Sequence, residues 1–162
     1  PAQPPALPSG VRLEARRGPL LSRLLEQPAA YLMRHTTLAS AAEFRRFLSN
    51  KNKVDAYLDS PLVRAALKNP AVAKSVIGNG ALVRAFLATP AMRDQAAVRQ
   101  LVQSRMFVKI MDCPGIHGAL SDVAVTARLA GDPQTLVFLG EHPDAARALG
   151  KAFPALARAL SQ

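Results

Sequence analysis

The sequence predicts an all-α fold, a compact array of short proline-initiated helices packed around one longer central helix at about residues 91–111. Three observations predict it. Helix breakers recur at intervals of about ten residues in an otherwise helix-favouring chain, most plainly in "NPAVAKSVIGNGALVRAFLATPAM", where Pro70, Gly80 and Pro90 stand ten apart. Apolar side chains follow most of these breakers at fixed offsets of two and six. Strand signals are nearly absent, since no alternating β-branched run reaches six residues and no hairpin dipeptide is flanked by such runs.

The offsets define a unit. After Pro61 come Val63 and Leu67; after Pro70, Val72 and Val76; after Gly80, Leu82 and Phe86; after Pro90, Met92 and Ala96. Downstream, Pro114 is followed by Ile116 and Leu120, Pro143 by Ala145 and Leu149, and Pro154 by Leu156 and Leu160. Pro133 matches only at Leu139, with Thr135 at the first offset; upstream, Pro19 fits with Leu21 and Leu25, whereas Pro28 meets Arg34. Side chains four apart share one face of a helix, so each unit is a two-turn helix with a single apolar stripe. Proline belongs in the first turn, where its missing N–H has no helical partner to lose; in an interior it would cost about 3 kcal/mol. The preceding residues Ser60, Asn69, Asn79, Thr89 and Asp132 each offer a side-chain oxygen to the unpaired first-turn amides. A helix of roughly 12 Å does not hold in water alone. The breakers therefore divide one long rod into short rods that turn back and enclose a common apolar interior.

Taken in order, residues 1–10, "PAQPPALPSG", form a proline- and alanine-rich linker or tail with four prolines and little to bury. Residues 11–162 read as a single helical domain. The chain opens on Pro1 and shows no basic-then-apolar leader pattern, which reads as a fragment or a processed form. "SAAEFRRFL" starts with Ser40 three residues before Glu43, the capping-box spacing, and places Phe44, Phe47 and Leu48 on one side. Residues 91–111 contain no Gly or Pro and repeat apolar groups at Ala97 and Leu101 and at Val98 and Val102, the pattern of the central helix. Links are expected at 50–52, 112–115 and 131–133. No run of eighteen apolar residues occurs, so no membrane span is expected.

Charge is the second signal. The chain carries 21 Lys and Arg against 11 Asp and Glu, a formal +10, with a mean hydropathy of +0.08. Residues 1–53 hold nine of the basic and three of the acidic side chains. Arginine outnumbers lysine fifteen to six, a bias that GC-rich coding also produces, giving a bacterial-like composition. Such a balance favours encounter with polyanions, an anionic membrane surface or an acidic protein. The basic set Arg12, Arg16, Arg17, Arg45, Arg46, Lys51 and Lys53 suits phosphate neutralisation, although no aromatic stacking is expected with it and no groove-reading helix is recognisable.

Catalytic and metal chemistry lacks its parts. Cys113 and His117 in "DCPGIH" stand four apart, a spacing a thiolate ligand or nucleophile pair could use, but Pro114 and Gly115 between them mark a turn and no haem-attachment sequence is present. A lone cysteine makes no intramolecular disulfide. His35, beside Thr36 and Thr37, and His142, before Pro143, read as helix junctions. Asp55 and Asp59 form a carboxylate pair at helical spacing and look exposed. "IGNG" lacks the spacing and following lysine of a phosphate loop; Gly80 there replaces proline in the repeat. No enzyme activity, cofactor or metal is expected.

In "SPLVRAALKNPAVAKSVIGNGALVRAFLATPAM", residues 60–92, the sequence resembles the heat-shock chaperonin-binding repeat of Hsp-organising cochaperones and ubiquilins, also called the aspartate–proline domain. A looser echo appears in residues 131–160. The shared feature is a polar residue, then Pro, then apolar positions at short helical spacing. The resemblance implies a bundle of short helices with an open hydrophobic groove for a client's amphipathic or transmembrane helix. This chain departs from the family in using Ala, Val and Leu where the repeat is often rich in Met, Asn and Gln, and in its long unbroken segment at 91–111.

Two functions follow as expectations. The first is a non-enzymatic adaptor or chaperone-like module, with Val63, Leu67, Val72, Val76, Leu82, Phe86 and Met92 lining a groove for an apolar or acidic helical segment of a partner protein. The same side chains would alternatively form a closed interior. The second is nucleic-acid or polyanion binding through the N-terminal basic set.

Overall fold

The protein is described by a computed structural model over residues 37–162. The expected tail at 1–10, the units opening at Pro19 and Pro28, His35, and the basic residues Arg12, Arg16 and Arg17 lie outside the described residues, so the reading of 11–162 as one domain applies here to 37–162 alone.

Every described element is helical. A short 3-10 turn at Thr37–Ala39 precedes α1 (Ala41–Leu48), α2 (Lys51–Leu58), α3 (Pro61–Lys68), α4 (Pro70–Ile77), α5 (Gly80–Leu87), α6 (Gln95–Val102), α7 (Arg105–Met111), α8 (Pro114–Leu120), α9 (Val123–Gly131), α10 (Pro133–Glu141), α11 (Pro143–Ala152) and α12 (Pro154–Leu160). Pro61, Pro70, Pro114, Pro133, Pro143, Pro154 and Gly80 each open a helix, as the template predicts. The caps are built by side chains: Asn69 Oδ1 accepts from Ala71 N at 2.9 Å, Asn79 Oδ1 from Leu82 N at 2.9 Å, and Asp132 Oδ1 from Gln134 N at 2.9 Å. Ser40 Oγ accepts from Glu43 N at 3.2 Å, while the Glu43 carboxylate turns to Arg46.

Two expected starts differ. Ser60 precedes α3 but its hydroxyl donates back to Tyr57 O at 2.7 Å, closing the end of α2. Pro90 opens only a turn: the Thr89 hydroxyl donates to Phe86 O at 2.7 Å, and the next helix waits for Asp94, whose carboxylate accepts from Ala97 N at 2.8 Å.

The single central helix at 91–111 does not exist. Residues 90–93 form a turn, and beyond it lie α6 and α7, two more short helices. Ser104 causes the break between them. Its hydroxyl donates to Leu101 O at 2.6 Å and accepts from Phe107 N at 3.2 Å, ending one helix and starting the next without a proline.

Nor do the described residues share one interior. One buried cluster gathers Leu38, Phe44, Leu82, Ala91, Met92, Ala97, Val98 and Ala145; the other gathers Ala73, Ile116, Ala119, Leu120, Val125, Phe153 and Leu156. Helices of two turns are too short to span a single wide core, so several reach both clusters. On α4, Val76 packs on the first and Ile77 on the second; on α3, Leu62 and Leu67 divide likewise. The closest helix packing is α8 on α3 and α4, where Gly115 and Gly118 present bare backbone to Ala66, Leu67 and Pro70.

Candidate functional site

The α1–α2 corner assembles the basic residues. Arg45 and Arg46 fall in the last turn of α1, where the helix dipole favours cations. Lys51 and Lys53 fall in the first turn of α2, where it opposes them. The corner itself is made by Asn50, whose side chain accepts from Lys53 N at 3.1 Å and forces α2 to begin immediately after α1 ends. All four basic side chains are exposed and border one hollow of about 850 Å³.

Two of these four charges are paired by the fold. Glu43 pairs with Arg46 at 2.8 Å and Asp55 with Lys51 at 3.6 Å, while Arg45 and Lys53 make no ion pair among the described residues. Arg45 is held by a neutral partner. Its Nε donates to Gln100 Oε1 at 2.9 Å, and Gln100 Nε2 donates to Arg45 O at 3.0 Å and to Ser49 Oγ at 3.1 Å. One amide on α6 thus fixes both the backbone and the guanidinium of the corner.

Aromatic groups do stand among these basic residues, contrary to the expectation: Phe44 and Phe47 flank Arg45 and Arg46 directly in sequence, and the fold adds Tyr57. Phe47 lines the hollow. Its ring lies 6.3 Å from Phe44 and meets Tyr57 edge to face at 5.8 Å and 87°. Tyr57 is 42% exposed and follows Lys53 by one helical turn on α2. Gln100 and Arg105, which no sequence signal ties to the basic set, reach this corner from α6 and α7. A second, smaller hollow of about 400 Å³ shares Ser49, Lys51 and Gln100 with the first and extends it to Arg105.

Of the seven residues assigned to an apolar groove, four meet at one buried cluster and three lie apart from it. Leu82 and Met92 are interior, at 6% and 1% exposure, with Val76 and Phe86 packed against the same cluster. Leu67 joins the other cluster, and Val63 and Val72 are half-buried. A cleft of about 410 Å³ does open between α5 and α10, edged by Leu87, Met92 and Val137.

The remaining candidates fall into structural positions. The Cys113 thiol donates to Lys109 O at 3.1 Å, closing α7 as a serine would, and His117 is exposed with its ring 5.2 Å from Phe153. His142 is buried against Phe138 at 4.6 Å. Asp59 pairs with Arg64 at 4.0 Å, and Asn79 and Gly80 of "IGNG" cap and open α5. Among the described residues no cluster of His, Cys, Asp and Glu is arranged to hold a metal, and no helix is long and apolar enough to cross a membrane.

Compared with protein-family models, curated proteins and solved structures, the chain shows no match.

Proposed function

We propose that this protein is a non-enzymatic binding module for single-stranded nucleic acid, with the α1–α2 corner as its contact surface. One observation carries the reading: Arg45, Arg46, Lys51 and Lys53 border a single open hollow whose wall includes Phe47, with Tyr57 beside it. Cations that track phosphates, combined with rings on which bases stack, are the two parts a single strand needs. A duplex is less suited, because the sequence carries no recognisable groove-reading helix. The described residues hold sixteen basic against nine acidic side chains, which adds long-range attraction for the same ligand.

The test is fluorescence anisotropy with labelled single-stranded and duplex oligonucleotides. Four neutralised phosphates give a slope of about −2.8 in log affinity against log salt, or roughly a fifty-fold loss between about 50 and 200 mM salt. Arg45→Gln and Lys53→Gln should each flatten that slope by about 0.7. Binding that ignores salt, or no binding, refutes the proposal.

A second reading, a module for an apolar or amphipathic helical segment of a partner protein, is supported by the α5–α10 cleft. Leu136 and Val137 on α10 are 47% and 59% exposed, and Val137 lines the cleft. Capture of an amphipathic helical peptide that Val137→Asp abolishes, with the fold intact, would favour it.

A further inference from the structure

Asp55 on α2 is approached by three cations. Lys51 Nζ lies at 3.6 Å, Arg105 Nη2 at 3.4 Å and Lys109 Nζ at 3.9 Å from its carboxylate oxygens. One negative charge serves three positive ones, so the group retains a surplus of two. The distances are long for charge-assisted hydrogen bonds. All four side chains reach solvent, with Asp55 38% exposed and the cations more so. Lys51 and Arg105 line the second hollow, whose inner wall is the buried apolar surface of Val54 and Met106. That hollow runs into the first through Ser49, Lys51 and Gln100.

We infer that Lys51, Arg105 and Lys109 form a second phosphate subsite, so that a strand leaving the α1–α2 corner continues along α2 and α7 with Asp55 as a built-in competitor for the same cations. The inference rests on the single-strand reading and extends it. Arg105 and Lys109 would bind the phosphate directly, and the Asp55 carboxylate holds the three cations in place while the site is empty. A phosphate entering here meets a surplus of positive charge and displaces contacts that are already loose.

The experiment uses dT oligonucleotides of about four nucleotides, 5′-phosphorylated so that the first site can meet four phosphates, and of about sixteen, the ends of the usual range of site sizes for single-strand binders. The longer strand should show a salt slope steeper by about 1.4, reflecting the two added cations. In the paired variant Arg105→Gln with Lys109→Gln, the longer strand's slope should fall to that of the shorter, whose binding should stay unchanged. Asp55→Asn should act in the opposite direction, tightening the longer strand by about five-fold, the effect of one fewer opposing charge at this range in water. A variant that merely loses its fold cannot bind more tightly. Equal slopes for the two lengths, or loss of both lengths in the paired variant, would overturn the second subsite and leave the first standing. Failure of the unaltered protein to bind either strand removes both.

Discussion

Five glycines of α8 to α11 have negative φ, so alanine at any of them is free of backbone strain and only the space around the new methyl group decides the sign. At Gly115, a Cβ would overlap the Ala66 carbonyl oxygen and lie 2.8 Å from that of Leu67. At Gly118 it would stand 2.7 Å from Pro70 Cβ. A backbone carbonyl inside α3 cannot rotate away, so α8 must lift off α3 and α4, at the about 1–3 kcal/mol or more typical of overpacking. Helix propensity returns roughly 0.5–1 kcal/mol. Gly115→Ala should therefore destabilise by about 1–2 kcal/mol or more, with Gly118→Ala somewhat milder because a proline ring can shift. At Gly131 and Gly140 nothing lies within 4 Å, and at Gly150 the nearest atom, Ala157 Cβ, is at 3.7 Å, an ordinary contact. Alanine at these three should stabilise, by up to about 0.5–1 kcal/mol each and less at Gly131 and Gly140, which sit at helix ends. Urea unfolding measures the series, with an unchanged m-value required for comparison. In thermal melts each kcal/mol corresponds to about 2–4 °C at this chain length. A Gly115→Ala protein as stable as the original would show that α8 does not press its backbone on α3, and the close packing of these helices would be refuted.

Two further outcomes are expected. Asp94→Ala should cost about 1 kcal/mol and speed hydrogen exchange at the Ala97 amide, with Asp94→Asn close to neutral, because the carboxylate is the cap of α6; in one continuous helix through 91–111 the alanine would be harmless. Asp122 caps α9 and takes a hydrogen bond from Lys74 at 3.0 Å, and chiefly that contact, with the Val125 amide, holds its carboxyl below the usual 3.8. A depressed carboxyl stabilises the fold above its unfolded value. The stability gap between the protein and Asp122→Asn, which keeps the cap but not the charge, should thus be full at neutral pH, narrow below about pH 3.8 and close below the folded value. Melts across that range read it, and a gap independent of pH refutes the assignment.

The chemistry that starts each helix is local, which is why so much of the fold was legible. Pro at the first position and an oxygen-bearing side chain before it act within three residues, and seven of the eight template positions among the described residues open helices. The failure at 91–111 came from following prolines rather than caps. The N-caps fall at Ser40, Asn50, Ser60, Asn69, Asn79, Asp94, Ser104, Cys113, Asp122, Asp132, His142 and Phe153, a spacing of nine to eleven broken only between Asn79 and Asp94. The turn after Thr89 fills that gap. Asp94 and Ser104 carry the same signal as Asn69 and Asn79, but without a breaker next to them they pass for ordinary helix surface.

Which face of each short helix turns inward is not local, and the apolar offsets could not settle it. Leu82 and Val72 occupy the same template rank on neighbouring units, yet one is interior and the other half-buried. The basic corner shows the same division. Arg45, Arg46, Lys51 and Lys53 are neighbours in sequence and were legible together, whereas Gln100, Arg105 and Lys109 arrive from about fifty residues away through the packing of α6 and α7. Composition reports the charge; only the fold shows that two lysines sit against the positive end of α2 with a single nearby carboxylate shared among three cations. That placement works against folding, and a bound polyanion is the simplest chemistry that would relieve it.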